Sequence, residues 1–354
     1  MAIPTRCPYT FKEIDPAATV SPYAKEKPLP EGWQNSGVIT FAMAGARTSG
    51  KSVYIALVVK LLEHLSINYG GVFEPANEST RQSYNENYGV VLFGDENGEQ
   101  RVLSPTSPAD SPSAYQSVPL IFRLGRHKLE TGEEQNIFVV FRDVAGEDLE
   151  ADNFDANKHH LEFFKHADCV IYLYDPLAVP EIRSLLAGSV SINSVSEAEP
   201  VDVLKNVVRA IGDAHPSIAL TLSKFDIMQK ISELKLSSTS ALSSSDGVNW
   251  SVVMKNQGAA FRRAGSGASE GYSAADSALV HEETRSMLMS LGAREMFNVL
   301  RQPAATDSSH EFRCFVVSSL GASPAGDTID EIGIAPFRVL DPLRAQFYSL
   351  GLFA

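Results

Sequence analysis

The sequence has little cysteine and no long apolar run. Its three cysteines are odd in number and widely spaced, which excludes a disulfide framework and favours a reducing compartment. No apolar stretch approaches the roughly 20 residues that a membrane-spanning helix needs. Near the N-terminus, prolines and basic residues interrupt any signal-like core. We therefore expect a cytoplasmic protein without membrane insertion.

Basic residues are also in deficit. The 354-residue chain carries 30 Lys and Arg against 43 Asp and Glu, a net charge of −13. Such a surface repels phosphate backbones, so we expect no direct binding of nucleic acid. Hydrophobic residues at 44% and charged residues at 21% are typical of a globular protein with a sizeable core.

The chain divides into an arm and one domain. Six prolines within residues 1–36 predict an extended N-terminal arm that wraps the domain or hangs free. Residues 37–354 are predicted to form a single domain, because strand patterns continue to residue 318. Two polar stretches, at about 66–116 and 236–275, are predicted to be insertions or long loops rather than core layers.

Short apolar runs alternate with helical patterns through this domain. Such alternation predicts an α/β fold, a mostly parallel sheet with helices on both faces. The runs at 118–125 and 136–142 are separated by ten residues, which are too few for a crossover helix. These two strands should therefore form one antiparallel edge hairpin. Helices are expected around 158–167, 200–214 and 281–300, and at the C-terminal end.

The sequence GARTSGKS, residues 45–52, lies between an apolar run and a helical pattern. It fits G-x-x-x-x-G-K-[ST], in which backbone N–H groups at a helix N-terminus surround phosphates. Lys51 can reach the β- and γ-phosphates, and the Ser52 hydroxyl can bind Mg²⁺. A glycine-rich turn that merely joins strand to helix is the alternative. The residues predicted to contact the nucleotide are Gly45, Thr48, Ser49, Gly50, Lys51, Ser52 and Val53.

A second motif, DVAG, ends the second hairpin strand. The Asp143 carboxylate can hold a water on Mg²⁺, and Gly146 allows its backbone N–H to approach the γ-phosphate. The alternative for Asp143 is a solvated aspartate at a strand end. Because the motif follows a buried strand downstream of GARTSGKS, we predict that Asp143 belongs to the metal site.

A third motif, SKFD, concerns the base. The Asp226 carboxylate can accept hydrogen bonds from both N1–H and N2–H₂ of guanine, a donor pair that adenine lacks. The stem of Lys224 can lie along the base plane. SKFD departs from the usual [N/T]-K-x-D only at Ser223, which keeps a hydroxyl. Guanine is therefore favoured over adenine.

The tripeptide SSL, Ser318, Ser319 and Leu320, follows the last predicted strand. A backbone N–H placed there can meet guanine O6. Alone the tripeptide is only weakly diagnostic, but its order and position are those expected of a fourth nucleotide-binding piece.

Taken in order, the four motifs resemble those of P-loop GTPases of the Ras and translation-factor type. This resemblance implies a three-layer P-loop GTPase sandwich, GTP or GDP with Mg²⁺ as ligands, and switch loops read by protein partners. The CPYTF sequence, the two polar insertions, FVVSSLG and the VLDPL segment further resemble bacterial double-GTPase domains of multi-component conflict, or defence, systems. We predict no zinc, because Thr10 stands where a second cysteine is expected.

Two residues depart from the Ras-like pattern. Glu147 stands where a glutamine commonly orients the attacking water, and a carboxylate there repels the γ-phosphate, so we expect slow hydrolysis. Glu147 and Asp148 alternatively form a solvated acidic turn at a helix start. Arg47 either acts as an arginine finger in cis or points to solvent or a partner. The catalytic candidates are Lys51, Arg47 and Glu147.

One metal-site residue should precede the hairpin. Thr106 is the candidate that senses the γ-phosphate, with Thr80 as the second choice. The leading functional hypothesis is a Mg²⁺-dependent, slowly hydrolysing GTP switch that acts through protein partners, with homo-oligomerisation compatible with the sequence. A non-hydrolysing guanine-nucleotide scaffold and an ATPase whose SKFD is accidental are the alternatives.

Overall fold

A seven-stranded sheet forms the centre of the part of the chain that the structure describes. The computed structural model describes residues 2–93, 118–129, 132–188, 199–233, 271–301, 310–321 and 334–353. Within these residues the strand order is β2-β3-β4-β1-β5-β6-β7. The strands are β1 (Gly37–Ala44), β2 (Glu74–Pro75), β3 (Leu120–Lys128), β4 (Glu134–Arg142), β5 (Cys169–Tyr174), β6 (Ser217–Leu222) and β7 (Phe312–Val316).

The sheet is mostly parallel, as predicted. β1 pairs in parallel with β4 and β5, and β5, β6 and β7 continue in parallel. The predicted antiparallel hairpin of β3 and β4 is confirmed, with a register shift between Arg123 and Gly125. The short β2 pairs antiparallel to β3 and extends that side of the sheet by one strand.

Helices cover both faces of the sheet. The predicted helix at 281–300 is observed as two, because Gly292 interrupts it with a φ of +88° that favours glycine. The described α-helices are α1 (Lys51–Asn68), α2 (Glu78–Tyr84), α3 (Val90–Phe93), α4 (Ala151–Asn157), α5 (Pro180–Leu186), α6 (Pro200–Ile211), α7 (Phe225–Gln229), α8 (Ala274–Ser290), α9 (Arg294–Arg301) and α10 (Asp341–Ser349).

Alternation along β1 divides the core between the two faces. Ile39, Phe41 and Met43 lie in a cluster with α1 and α10, whereas Val38 and Ala42 lie in a cluster with α6, α8 and α9. All five side chains are fully buried. A strand whose two faces are both buried is typical of the centre of a parallel α/β sheet, and the three layers follow from it.

Residues 2–36 pack on the sheet. The side chains of Cys7, Phe11 and Trp33 are fully buried in the cluster that contains α6. The Trp33 ring lies 4.7 Å from that of Phe138 on β4, centroid to centroid, and its indole N–H donates to the Arg6 carbonyl. The proline-rich sequence concealed this burial, since three apolar side chains among many prolines show no strand or helix period.

Polar contacts join the same segment to the end of β4 and the start of β5. The Arg142 guanidinium donates to the Tyr9 carbonyl at 2.6 Å and lies 3.8 Å from the centre of the Phe163 ring. Arg6 forms an ion pair with Asp168 at 3.2 Å. Burial lowers the pKa of Arg142 to about 10, which still leaves the guanidinium charged at neutral pH.

The prediction of a polar loop at 66–116 is wrong for residues 66–93. These residues form the end of α1, β2, α2, a π-helical turn at Asn85–Gly89, and α3. Phe73, Tyr84 and Tyr88 are buried against the α1 face of the sheet. A few large aromatic side chains anchor these short elements, although the sequence around them is polar. The remaining residues, 94–116, lie outside the described part of the chain.

The second predicted insertion, 236–275, falls almost wholly outside the described residues. Its last residues are described, and Ser273 caps α8 by accepting a hydrogen bond from the Asp276 N–H. No helix in the described ranges is both long and apolar enough to cross a membrane.

His310, just before β7, predicts a pH dependence of stability. Its ring is buried, lies 6.2 Å from that of His215, and has no hydrogen-bond partner for either nitrogen among the described residues. Burial and the charge of His215 lower the pKa of His310. The stabilisation by neutral His310 is therefore present above the unfolded pKa of about 6.5 and is lost as the pH falls through the lowered folded pKa.

We expect His310→Leu to reduce the loss of stability between pH 7 and pH 5, and to stabilise the protein at neutral pH by about 1 kcal/mol, because two unpaired buried nitrogens are removed. Urea unfolding at several pH values measures the effect. The exposed His159, replaced by Leu, is the control. Identical pH profiles for the two variants would contradict the prediction.

Candidate nucleotide-binding site

The predicted motifs meet at one edge of the sheet. Residues 45–52 follow β1, Asp143 follows β4, residues 223–226 follow β6, and residues 318–320 follow β7. All four strands run in parallel, so these segments leave the sheet at the same edge. The strand order changes direction around β1, and ligands of open α/β sheets bind at such a point outside the carboxyl ends of the strands.

The loop after β1 has a backbone conformation that few residue types can adopt. Gly45 has a φ of +144°, and a Cβ there would lie 2.1 Å from the Leu173 carbonyl oxygen on β5. Thr48 and Gly50 also have positive φ values, 62° and 91°. Gly50 immediately precedes α1, whose first N–H groups have no acceptor within the helix. The loop thus presents backbone donors at a helix N-terminus, the arrangement that binds anions.

Lys51 lies within this loop. Its side chain is buried, and its ammonium group donates to the carbonyls of Gly45 at 2.7 Å and Ala46 at 3.0 Å. Burial lowers the pKa of Lys51, whereas the negative charges of Asp143 and of the two glutamates at 147 and 150 raise it. The Ser49 hydroxyl is buried with no partner among the described residues. A phosphate would supply both the counter-charge and the missing acceptor.

Asp143 lies beside Lys51 at the end of β4. Burial raises the pKa of Asp143 to about 6, against the opposing effects of the Lys51 charge, the Val144 N–H and the Tyr88 hydroxyl. One carboxylate oxygen accepts from the Val144 N–H at 2.9 Å. A carboxylate and the Ser52 hydroxyl are the hard oxygen ligands that Mg²⁺ takes. Asp143 and Ser52 therefore fit a magnesium site.

Of the two threonine candidates for the magnesium site, the structure describes only Thr80. Thr106 lies outside the described residues. Thr80, the second choice, is buried at the start of α2, where its hydroxyl accepts a hydrogen bond from the Ile121 N–H of β3 at 3.1 Å. Its own N–H donates to the Asn77 side chain. Thr80 thus holds α2 against β3.

Gly146 brings the DVAG loop against the phosphate-binding loop. A Cβ on Gly146 would lie 2.2 Å from the Arg47 nitrogen and 2.6 Å from the Ala46 carbonyl carbon. The two backbones therefore touch, and only glycine leaves room for this contact. Lys51 donates to the carbonyl of the same Ala46, so the contact lies beside the lysine that is predicted to bind the β- and γ-phosphates.

The acidic pair after Gly146 is not the solvated turn that was the alternative. Asp148 is buried and accepts a hydrogen bond from the Asn157 side chain of α4 at 2.8 Å. Glu147 forms an ion pair with Arg47 at 3.0 Å, and the exposed fractions of their side chains are 19% and 49%. Arg47 therefore contacts this chain's own DVAG loop. Both residues were catalytic candidates, but their pairing was not predicted, because they lie a hundred positions apart in the sequence.

The predicted base-binding residues are held by hydrogen bonds. The Ser318 hydroxyl donates to the Asp226 carboxylate at 2.6 Å and accepts from the Gly321 N–H at 2.9 Å. Ser223 donates its N–H and its hydroxyl to the Tyr174 carbonyl. These bonds join the loop after β6 to the loop after β7 and to the end of β5.

The loop with Ser319 and Leu320 is braced by residues 334–337. The Ala335 N–H donates to the Leu320 carbonyl, and the Phe337 ring stacks on that of Phe225 with centroids 5.9 Å apart. Ser319 and Leu320 are both half-buried. The backbone of this tripeptide is thereby fixed at the edge of the site.

Asp175 was not predicted. It follows β5, is buried, and accepts from the Lys224 ammonium at 2.6 Å and from the Leu177 N–H at 2.8 Å. Lys224 itself has a φ of +50°. Asp175 thus orients the lysine that is predicted to lie along the base. An aspartate directly after a buried strand was the signal that could have revealed it.

The adjacent His159 and His160 are exposed. Within the described ranges, no group of three or more His, Cys, Asp and Glu side chains is arranged to hold a metal ion.

A glycine-rich loop with a buried lysine after β1, an aspartate and a glycine after β4, and the SKFD segment after β6 define a P-loop GTPase domain. The family model named Double-GTPase 2 matches residues 39–288, and the chain belongs to this family. Membership supports binding of a guanine nucleotide. A curated relative, the putative ESX-1 scaffolding and assembly protein SaeC of Mycolicibacterium smegmatis, is 37% identical over 316 residues, which cover 89% of this chain and 76% of that protein.

Among solved structures, GTP-binding proteins are similar to this chain at low identity. The signal recognition particle receptor SRb-GTP/SRX complex from Chaetomium thermophilum is 13% identical, with a TM-score of 0.31 and coverage of 82% of this chain and 95% of that one. A GTP-binding protein from Sulfolobus solfataricus in complex with GDP is 12% identical, with a TM-score of 0.33. It covers 88% of this chain, which spans 52% of its length.

Proposed function

We propose that this protein is a GTP-binding switch that hydrolyses GTP slowly with Mg²⁺ and acts through protein partners. The observation that carries the proposal is the convergence of the phosphate-binding loop, Asp143 and the SKFD and SSL segments at one edge of the sheet. GTP is the substrate. Its phosphates would occupy the concave side of residues 45–52, and its base would lie between Lys224 and Asp226.

Each residue has a distinct task in this proposal. The buried Lys51 ammonium compensates charge on the β- and γ-phosphates. Ser52 and Asp143 would hold Mg²⁺, with Thr106 as the proposed third residue; the ion supplies charge neutralisation between the β- and γ-phosphates. The Gly146 N–H reports the presence of the γ-phosphate. Because Gly146 already touches the phosphate-binding loop, a bound γ-phosphate would act directly on the DVAG loop.

Slow hydrolysis follows from the residue after Gly146. Glu147 is ion-paired with Arg47, so its carboxylate is neither a neutral amide that orients water nor available as an unpaired base. We propose that turnover without a partner is as slow as that of small GTPases without activators, on the order of 10⁻³ per second or lower. Partners would read the nucleotide through the DVAG loop and the segment that follows it, in which residues 151–153 are exposed.

The relative's name, which contains scaffolding and assembly, favours a role in building a protein complex. We propose that the nucleotide state of this protein gates such assembly. Membership of a multi-component conflict system is a narrower proposal that rests on the double-GTPase resemblance alone. The second candidate function, a scaffold that holds GTP without hydrolysing it, is favoured by the same name and by the pairing of Glu147.

Nucleotide binding and phosphate release by the wild-type protein test the proposal. Binding of GTP, GDP and ATP is measured with and without EDTA, and phosphate release is followed over many turnovers. We expect GTP and GDP to bind in preference to ATP, GTP binding to weaken in EDTA, and phosphate to be released slowly. Tight GTP binding without release would favour the scaffold. Equal affinity for ATP and GTP would contradict the guanine assignment.

A further inference from the structure

The ion pair between Arg47 and Glu147 spans the contact between two loops of the site. Arg47 belongs to the phosphate-binding loop and Glu147 to the loop after β4, and their charged atoms lie 3.0 Å apart. The backbones of these loops touch beneath the pair, where a Cβ on Gly146 would overlap Arg47. The pair is therefore placed at the position where the γ-phosphate is expected to approach Gly146.

Glu147 is fixed in this place by its neighbours. It lies in a 3₁₀ turn, Gly146–Leu149, in which Asp148 is buried and bonded to Asn157. Asn206 of α6 donates to the Leu149 carbonyl at 2.9 Å and holds the other end of the turn. These bonds fix the backbone of the turn, so Glu147 stays next to the loop that binds phosphate, and its carboxylate is held there by the ion pair with Arg47.

The second oxygen of Glu147 is buried and has no hydrogen-bond partner among the described residues. Only 19% of the side chain is exposed. The negative charge of this carboxylate is therefore compensated mainly by the Arg47 guanidinium rather than by water. Glu147 also acts electrostatically on Lys51 and on Glu150, and Arg47 opposes the effect on Glu150. Three carboxylates act electrostatically on Lys51, namely those of Asp143, Glu147 and Glu150.

We infer that Arg47 is a positioning residue that favours GTP over GDP by neutralising the Glu147 carboxylate next to the γ-phosphate, an inference that rests on the proposed function. The carboxylate repels the γ-phosphate more strongly than the β-phosphate, because repulsion falls with distance. Without Arg47, GTP therefore loses more affinity than GDP. This role differs from an arginine finger, which would touch the phosphate itself and would act whether or not Glu147 is charged.

The test measures the affinities of GDP and of the slowly hydrolysed analogue GTPγS for four proteins: wild type, Arg47→Ala, Glu147→Gln, and the double variant. We expect Arg47→Ala to lower the preference for GTPγS over GDP on the order of tenfold. Adding Glu147→Gln to Arg47→Ala should restore the preference to within about twofold of the wild type. Arg81→Ala, which removes an exposed arginine paired with Glu78, is the control.

The inference is overturned if Arg47→Ala leaves the preference unchanged, or if Glu147→Gln fails to restore it, since an arginine that touches phosphate needs no carboxylate partner. Circular dichroism and thermal unfolding show whether each variant is folded. A wild-type protein that binds no guanine nucleotide at all would overturn the proposed function, and that result is separate because it appears before any variant is compared.

Discussion

Lys51→Ala should weaken GTP binding by about a hundredfold or more and abolish phosphate release. The ammonium group is buried against the carbonyls of Gly45 and Ala46, so a phosphate there gains a charge-assisted hydrogen bond in a site with little water. Such bonds contribute about 3 kcal/mol or less each, and removal leaves the phosphate without its buried counter-charge. The measurement is titration with GTP, together with phosphate release over many turnovers.

The fold itself should survive this substitution. Burial lowers the pKa of Lys51, which means that desolvation of its charge destabilises the folded protein. The alanine side chain does not carry this desolvation penalty. Lys60→Ala is the matched control, because Lys60 is on the same helix, pairs with Glu63 at its surface and is half-exposed. If Lys51→Ala binds GTP as well as Lys60→Ala does, residues 45–52 are not the phosphate site.

Asp226→Asn should lower the affinity for GTP by about a hundredfold and raise that for the xanthine nucleotide XTP. The carboxylate accepts two guanine donors, and an amide would turn a donor towards one of them, leaving a buried polar group unpaired. Xanthine offers a carbonyl in place of the amino group, which the new amide can bond. The Ser318 hydroxyl can still donate to the amide oxygen, so the loop after β7 should keep its place.

Competition between GTP, XTP and ATP measures this change of preference. Asp202→Asn is the control, since Asp202 is an exposed carboxylate that pairs with Lys205 one turn away. Unchanged GTP binding in Asp226→Asn, with ATP bound equally well, would show that SKFD does not contact the base. Loss of all nucleotide binding together with loss of the folded state would instead assign Asp226 a structural role.

The sequence predicted those features that short contiguous stretches determine. The loop at residues 45–52 carries its own backbone requirements, and positive φ values at Gly45 and Gly50 match the two glycines of the pattern. The antiparallel pairing of β3 and β4 followed from the length of their connection alone. The meeting of the motifs at the carboxyl edge of the sheet was also predictable, because parallel strands place their carboxyl ends at the same edge.

Features that depend on distant residues were not predictable in this way. Asp175 binds Lys224 across 49 positions, and Arg47 meets Glu147 across a hundred. Neither pair leaves a periodic signal. The elements at 66–93 were missed because a few aromatic side chains in polar surroundings provide their burial, whereas hydrophobic periodicity detects only repeated apolar positions.

The contact of Arg142 with both Tyr9 and Phe163 bears on where this domain begins. Arg142 directly precedes Asp143, so the residue that fits the metal site is tethered through its neighbour to the first ten residues of the chain. Detaching residues 2–36 would uncover Phe138 and leave a buried guanidinium without its acceptor. We therefore expect that a boundary drawn at residue 37 would cut through one cooperative folding unit, and that the N-terminal segment and the nucleotide loops unfold together.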